Sequence, residues 1–235
     1  MILQEKLDFL LDKYGIRKKA ILSNHSVTVD GKKIALLPWR NERRFAELKN
    51  SVNDGTLSDV SVIRVCRIDK KGTDLNSMIY RGLDLCEWLI GSEAAEIMTF
   101  KNNGAANIVV KLKNGVVCTM EASAVLPAGA VPVDKHEIIS RRGIACDRVV
   151  DTQVPQQSIY VYADAENPKT YTDVDFELFG LGAGDVALVR QAFDAARNGD
   201  LSKELDACAK RLERLVALSD KSASEGCNLK VEGSI

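Results

Sequence analysis

Between Ala95 and Ala163 the hydrophobic period of the chain becomes short and strand-like, and this constrains the fold more than any other feature. Six runs follow one another: Glu96 to Phe100, Asn107 to Leu112, Val116 to Ala122, Lys135 to Ser140, Ala145 to Val150 and Ser158 to Tyr162. Turn residues separate several of them, as at Lys113-Asn114-Gly115 and Arg142-Gly143. Tight turns join antiparallel neighbours, whereas a parallel pair needs a longer crossover. The region is therefore expected to form one sheet as an antiparallel meander.

The flanking sequence has helical spacing. Leu3, Leu7, Leu10, Leu11 and Tyr14 define a first helix, with Gly15 placed to close it. Ser26 to Val29 and Lys33 to Leu37 surround Asp30-Gly31, which predicts a hairpin. Phe45, Leu48, Lys49 and Val52 suit a helix ending near Asn53-Asp54-Gly55, and Val60 to Ile68 reads as a strand. Leu75, Ile79, Leu83, Cys86 and Ile90 form the stripe of another helix, with Asn76 or Ser77 as its cap and Gly91 as its stop. Asp185 is expected to cap a helix carrying Val186, Val189, Phe193 and Ala196; Asn198-Gly199 ends it, and Leu201, Leu205, Cys208, Leu212 and Leu215 mark the last helix. The tail from Ser219 reads as weakly ordered. The expected class is α+β, a large open, mainly antiparallel sheet with helices packed on one face.

Charge and cysteine usage narrow the setting. The 32 basic and 33 acidic residues leave a net charge of -1, so no global field draws the chain to nucleic acid or to an anionic membrane. The basic clusters Arg17 to Lys19 and Arg40 to Arg44 read as solvated faces. Six cysteines are scattered without a C-x-x-C, and the only histidines are His25 and His136, so no metal site is expected. Reduced thiols inside apolar runs, with neither a secretory leader nor a membrane span, predict a cytoplasmic protein. Gly180-Leu181-Gly182-Ala183-Gly184-Asp185 opens a helix but lacks the G-x-G-x-x-G spacing, and Asp185 would repel an anion there. Tyr160, Tyr162 and Tyr171 read as a packing face.

The order of several short motifs resembles one known family. Arg43-Arg44-Phe45, then Leu48-Lys49, then Asp54-Gly55-Thr56-Leu57-Ser58-Asp59-Val60 are similar to the "R-R-F … G-x-L-G-D" approach to the first sheet strand in the C-terminal domain of the Gfo/Idh/MocA oxidoreductases, the glucose-fructose oxidoreductase and inositol dehydrogenase family. Leu75, Asp84, Trp88, Leu89 and Gly91 match its "L … D-L-x-x-W-L-x-G" helix. Gly115-Val116-Val117, His136-Glu137-Ile138 and the helix Asp185 to Ala196 fall where that family has its sheet and closing helix. The resemblance covers residues 34–197 and implies the dihydrodipicolinate-reductase-like C-terminal fold. It divides the chain into an N-terminal helix and hairpin appendage (1–33), the family-like domain (34–197), and a C-terminal helix and tail (198–235).

Two departures bear on function. The family's "L-x-D-x-G-x-H-x-x-D" helix uses its aspartate and histidine to move the substrate proton, and counting back from Asp84 puts Ser77 and Arg81 at those positions. A serine is no carboxylate base, and an arginine stays protonated, so neither replaces the pair. The chain also lacks the G-x-G-x-x-G and E-K-P of a nucleotide-binding domain, and residues 1–33 are too few to form one. No catalytic residue and no cofactor are therefore expected, with NAD(P) entering only if a partner supplies its domain.

The candidate substrate-binding residues are Ser77, Arg81, Asp84, Lys135 and His136. Arg81 offers a planar fork for a carboxylate, phosphate or sugar hydroxyl, or makes an ordinary surface salt bridge. In Asp134-Lys135-His136-Glu137, strand alternation sends Lys135 and His136 to opposite faces, and His136 lies either in a ligand cleft or on the sheet surface. The expectation is a degenerate, non-catalytic relative of NAD(P)-dependent sugar oxidoreductases that forms a homo-oligomer through the sheet face. Its alternatives are a substrate-binding subunit completed by a separate nucleotide-binding chain, and a module that binds a sugar or small acid.

Overall fold

The structure is a computed structural model, and it describes residues 2–146, 158–163, 169–172 and 180–232. The chain divides into two compact units, Met1–Ala46 with Asp173–Arg211, and Glu47–Thr172 with Leu212–Ile235.

In the first unit, α1 (Ile2–Lys13) buries Leu7 and Leu11, and Gly15 follows with a left-handed φ of 67°. The hairpin expected at Asp30-Gly31 is present, because both residues take the positive φ that a tight hairpin turn demands, 49° and 84°. It joins β2 (Ser26–Val29) to β3 (Lys32–Ala35), so its second strand stops before Leu37. A third strand, β1 (Ala20–Ser23), pairs with β2, and the Gln4 side chain covers its outer edge by donating to Ala20 O at 2.9 Å and accepting from Leu22 N at 2.8 Å. A four-residue strand half satisfied by a side chain leaves no periodic signal in sequence.

A 3-10 turn (Pro38–Asn41) leads into α2 (Arg43–Asn53). Here the solvated basic face expected at Arg40 to Arg44 is corrected. Arg44 is buried, 2.8 Å from the Glu42 carboxylate and with its guanidinium 4.4 Å above the Phe45 ring, and the Arg40 side chain is largely covered. An arginine sinks here because pairing and ring stacking offset its desolvation. Helix α4 (Ala183–Arg197) begins after Gly182, which has no side chain with which to cap it, and Asp185 lies within the first turn instead of capping it. Gln191, buried in α4, accepts from the Leu37 N–H and donates to the Leu37 carbonyl.

The second unit holds a sheet of nine strands among the described residues: β4 (Val60–Lys70), β5 (Ala94–Lys101), β6 (Ala105–Leu112), β7 (Val117–Leu126), β8 (Val133–Ser140), β9 (Gly143–Cys146), β10 (Ser158–Ala163), β11 (Lys169–Thr172) and β12 (Leu229–Lys230). Their order is β11-β10-β9-β8-β4-β7-β6-β5-β12. The uninterrupted meander is corrected. β4 inserts between β7 and β8, parallel to β7 and antiparallel to β8, and α3 (Leu75–Ile90) is the crossover from β4 to β5. The linker from β7 to β8 carries no turn signature that distinguishes a neighbour from a strand one place away. Residues 147–150 of the expected strand Ala145 to Val150, and the side chains of Tyr160, Tyr162 and Tyr171, lie outside the described residues.

Register explains why one face is covered. Ile97, Val110, Cys118, Ile63, Ile138, Ala145 and Val161 stand opposite one another across seven strands, and all are buried. A single cross-strand row of this length forms only if every strand keeps its alternation in step. α3 packs over β4, β6 and β7 on this face. Asp74 caps α3 by accepting from the N–H groups of Asn76 and Ser77, which corrects the expected cap at either of those residues. Gly91 ends it in the left-handed region, as expected.

The weakly ordered tail is also corrected. Helix α5 (Gly199–Glu225) continues past Ser219, and β12 pairs with β5. Ser219 and Ser222 are fully buried against β5, where Ser222 accepts from Thr99 N at 3.0 Å and Ser219 shares a 2.9 Å hydrogen bond with the Thr99 hydroxyl. Serines lower the mean hydropathy that marks a core helix, yet with partners present they bury without penalty.

Candidate functional site

The candidate site lies in the second unit, where Arg81 of α3 reaches the end of β4 and the start of β8. Alternation from Val65 carries Arg67 and Asp69 to this face, and alternation from Ile138 carries His136 and Asp134 there. Arg67 and Asp134 are register partners, and so are Val65 and His136. From α3, Arg81 reaches the Asp134 carboxylate with both arms of its fork, at 2.8 and 2.9 Å.

Asp134 is the hub of the cluster. Besides Arg81 it meets Arg67 at 3.2 Å, and His136 Nε2 lies 3.5 Å from it. Arg67 extends the chain of charges to Asp69, 2.8 Å away. Two guanidinium groups therefore face two carboxylates around a fully buried imidazole. Burial pushes the Asp69 carboxyl up, but the Lys70 N–H and the Arg67 guanidinium outweigh it and hold the group below its ordinary range.

The structure brings Arg81 and His136 to one place, around Asp134, and sets Ser77 and Lys135 apart from them. Ser77 is exposed in the first turn of α3, and its hydroxyl donates to the Asp74 carbonyl at 2.7 Å. Lys135 projects from the opposite face of the sheet to His136. Asp84 is buried in the interior side of α3. Sequence reasoning did not single out Arg67 or Asp69, although their parity with Val65 in a strand of known alternation was a usable signal. His25 is exposed.

Chemically, a doubly hydrogen-bonded guanidinium–carboxylate pair fixes geometry and charge, and Arg81 can accept no proton. An anionic ligand at this arginine would have to displace Asp134. Among the described residues no group of three or more His, Cys, Asp or Glu is arranged to hold a metal, and no helix is long and apolar enough to cross a membrane.

No protein-family model matches the chain, and no curated protein matches it. Solved structures do. An oxidoreductase domain protein from Kribbella flavida superposes with a TM-score of 0.65 at 13% identity, covering 84% of this chain and 65% of that one. An inositol dehydrogenase homolog from Azotobacter vinelandii, complexed with NADH and myo-inositol, gives 0.64 at 14% identity, covering 83% and 63%. A probable dehydrogenase from Thermotoga maritima gives 0.61 at 18% identity, covering 83% and 64%. The chain thus spans just under two-thirds of the length of each of these structures. With nine strands in this order and α3 crossing from β4 to β5, the chain has the α+β fold of the C-terminal domain of the Gfo/Idh/MocA-type oxidoreductases.

Proposed function

We propose that this chain is a non-catalytic relative of the NAD(P)-dependent sugar oxidoreductases, working in the cytoplasm as a homo-oligomer assembled through the sheet face turned away from α3. The observation that carries the reading is the Arg81–Asp134 pair. The position that the family resemblance assigns to a proton-moving histidine holds a guanidinium already engaged by a carboxylate through two hydrogen bonds.

The exposed face supports assembly. It carries the exposed apolar side chains Phe100, Val109 and Ile144, and beside them the Arg64–Glu137 ion pair at 2.8 Å. An apolar surface with interspersed charges of both signs is self-complementary under a two-fold axis, which a second copy satisfies. The six free cysteines fit a reducing compartment.

Native mass spectrometry of the freshly purified chain tests the proposal, coupled to an assay for polyol-dependent reduction of NAD+ or NADP+. A homo-oligomer carrying no dinucleotide and showing no reduction is the expected result. A monomer at micromolar concentration, or measurable reduction by the chain alone, overturns it.

A further inference from the structure

Helix α3 runs antiparallel to β7, because it returns the chain from β4 to β5 and both of these strands run the same way as β7. Gly82 and Met120 fix which residues face each other, since a Cβ at position 82 would lie 2.3 Å from Met120 Cε. One turn further along α3 is Cys86, and two residues back along β7, on the same side of the strand, is Cys118. These steps are about 5.4 Å on a helix and about 6.6 Å on a strand, so the two sulfurs stay opposite each other. Both cysteines are 0% exposed. The hydrogen bond from Cys118, and then burial, push the Cys86 thiol well above its ordinary value. Cys66 lies on the strand next to β7 but alternates with Val65 toward the other face of the sheet.

We propose that Cys86 and Cys118 are a modification site, closing an intramolecular disulfide that ties α3 to the centre of the sheet when the chain meets a small-molecule disulfide. One cysteine, as its thiolate, attacks the oxidant's S–S bond, which breaks and releases one small thiol while a mixed disulfide forms on the protein. The second cysteine attacks that protein sulfur and releases the second small thiol. Two S–H bonds are lost and one S–S bond is gained; the oxidant is reduced to two thiols, which take up both protons. Burial and the raised Cys86 thiol confine the first attack to moments when α3 opens from β7, so the pair stays reduced where reductant is plentiful. The helix held in this way carries Arg81, so oxidation clamps the candidate site.

The test incubates the full native chain with oxidised glutathione, alkylates the remaining thiols in denaturant, and maps the digest by mass spectrometry. The expected result is a peptide pair joined at Cys86 and Cys118, loss of alkylation at both, and a Tm that rises and reverts on adding reductant. In the Cys118→Ala chain, no peptide pair joined at Cys86 forms, and Cys86 is recovered alkylated or as its mixed disulfide with glutathione. Exposed Cys227 serves as the control, because it takes up glutathione whether or not the buried pair reacts. Cys86 and Cys118 still alkylated after Cys227 has reacted, or Cys86 joined to a different cysteine, overturns the proposal. The mapping on the unaltered chain decides even if the Cys118→Ala chain fails to fold.

Discussion

Arg81 on α3 and Asp134 on β8, 53 residues apart in sequence, meet through two hydrogen bonds of 2.8 and 2.9 Å, with side chains 13% and 15% exposed. Pairs this far from water behave asymmetrically. Removing Asp134 leaves the Arg81 and Arg67 guanidinium groups without the carboxylate they share, and removing Arg81 leaves Asp134 to Arg67 alone, whereas removing both discards the cost together with the gain. Arg81→Ala or Asp134→Ala alone is expected to cost about 2–4 kcal/mol. The double variant should cost clearly less than the sum of the two. Urea unfolding of the four chains in a double-mutant cycle checks this, and simple additivity would show that the pair contributes nothing of its own.

Asp69 gives the same cluster a pH dependence. Its folded pKa lies below its ordinary value of 3.8, so the folded chain holds this carboxylate ionised more strongly than the unfolded chain does. Its contribution is therefore fully present above pH 3.8 and is lost as pH falls through the folded value. Urea unfolding between pH 5 and the acid limit should show a steeper loss of stability for the wild-type chain than for Asp69→Asn. Parallel curves would place the acid-sensitive group elsewhere.

The cap of α3 falls to neither of the residues that the sequence offered, Asn76 or Ser77, but to Asp74 before them. Asp74 accepts from two N–H groups, Asn76 N and Ser77 N, both at 3.1 Å, while the Ser77 hydroxyl only donates to a carbonyl. Asp74→Ala should cost about 1 kcal/mol, and Ser77→Ala less than half as much. Thermal unfolding of the two variants side by side gives the order, and a larger loss in Ser77→Ala would reverse the assignment.

Much of this fold was legible in sequence because each signal was local. The Asp30-Gly31 turn, the Gly91 stop and the alternation that parts Lys135 from His136 need only neighbouring residues to be read. What escaped depended on distant partners. β4 looks like any strand, and nothing within Val60 to Lys70 reveals that β7 and β8, whose register partners lie 55 to 80 residues later, will flank it. Arg44 reads as exposed until Glu42 and Phe45 are folded around it. The candidate site was half legible for the same reason: Arg81 and His136 stood out by type, but Arg67 and Asp69 join them only through register with β8.

The end of α5 gives the sharpest contrast between sequence pattern and packing. Ser222 is fully buried, accepts from Thr99 N at 3.0 Å and donates to the Cys227 carbonyl at 2.7 Å, so one hydroxyl satisfies a strand and the turn that follows the helix. Ser222→Ala removes the acceptor while leaving the Thr99 N–H buried, a loss of about 1–3 kcal/mol. Ser224→Ala, at an exposed position, should be near neutral, since its hydroxyl reaches only the Lys221 carbonyl of its own helix. Hydrogen exchange reads the consequence directly. The Thr99 amide and the amides of β12 should exchange faster in Ser222→Ala and stay unchanged in Ser224→Ala. Equal protection in both variants would mean that the chain from residue 219 onward is not packed on β5.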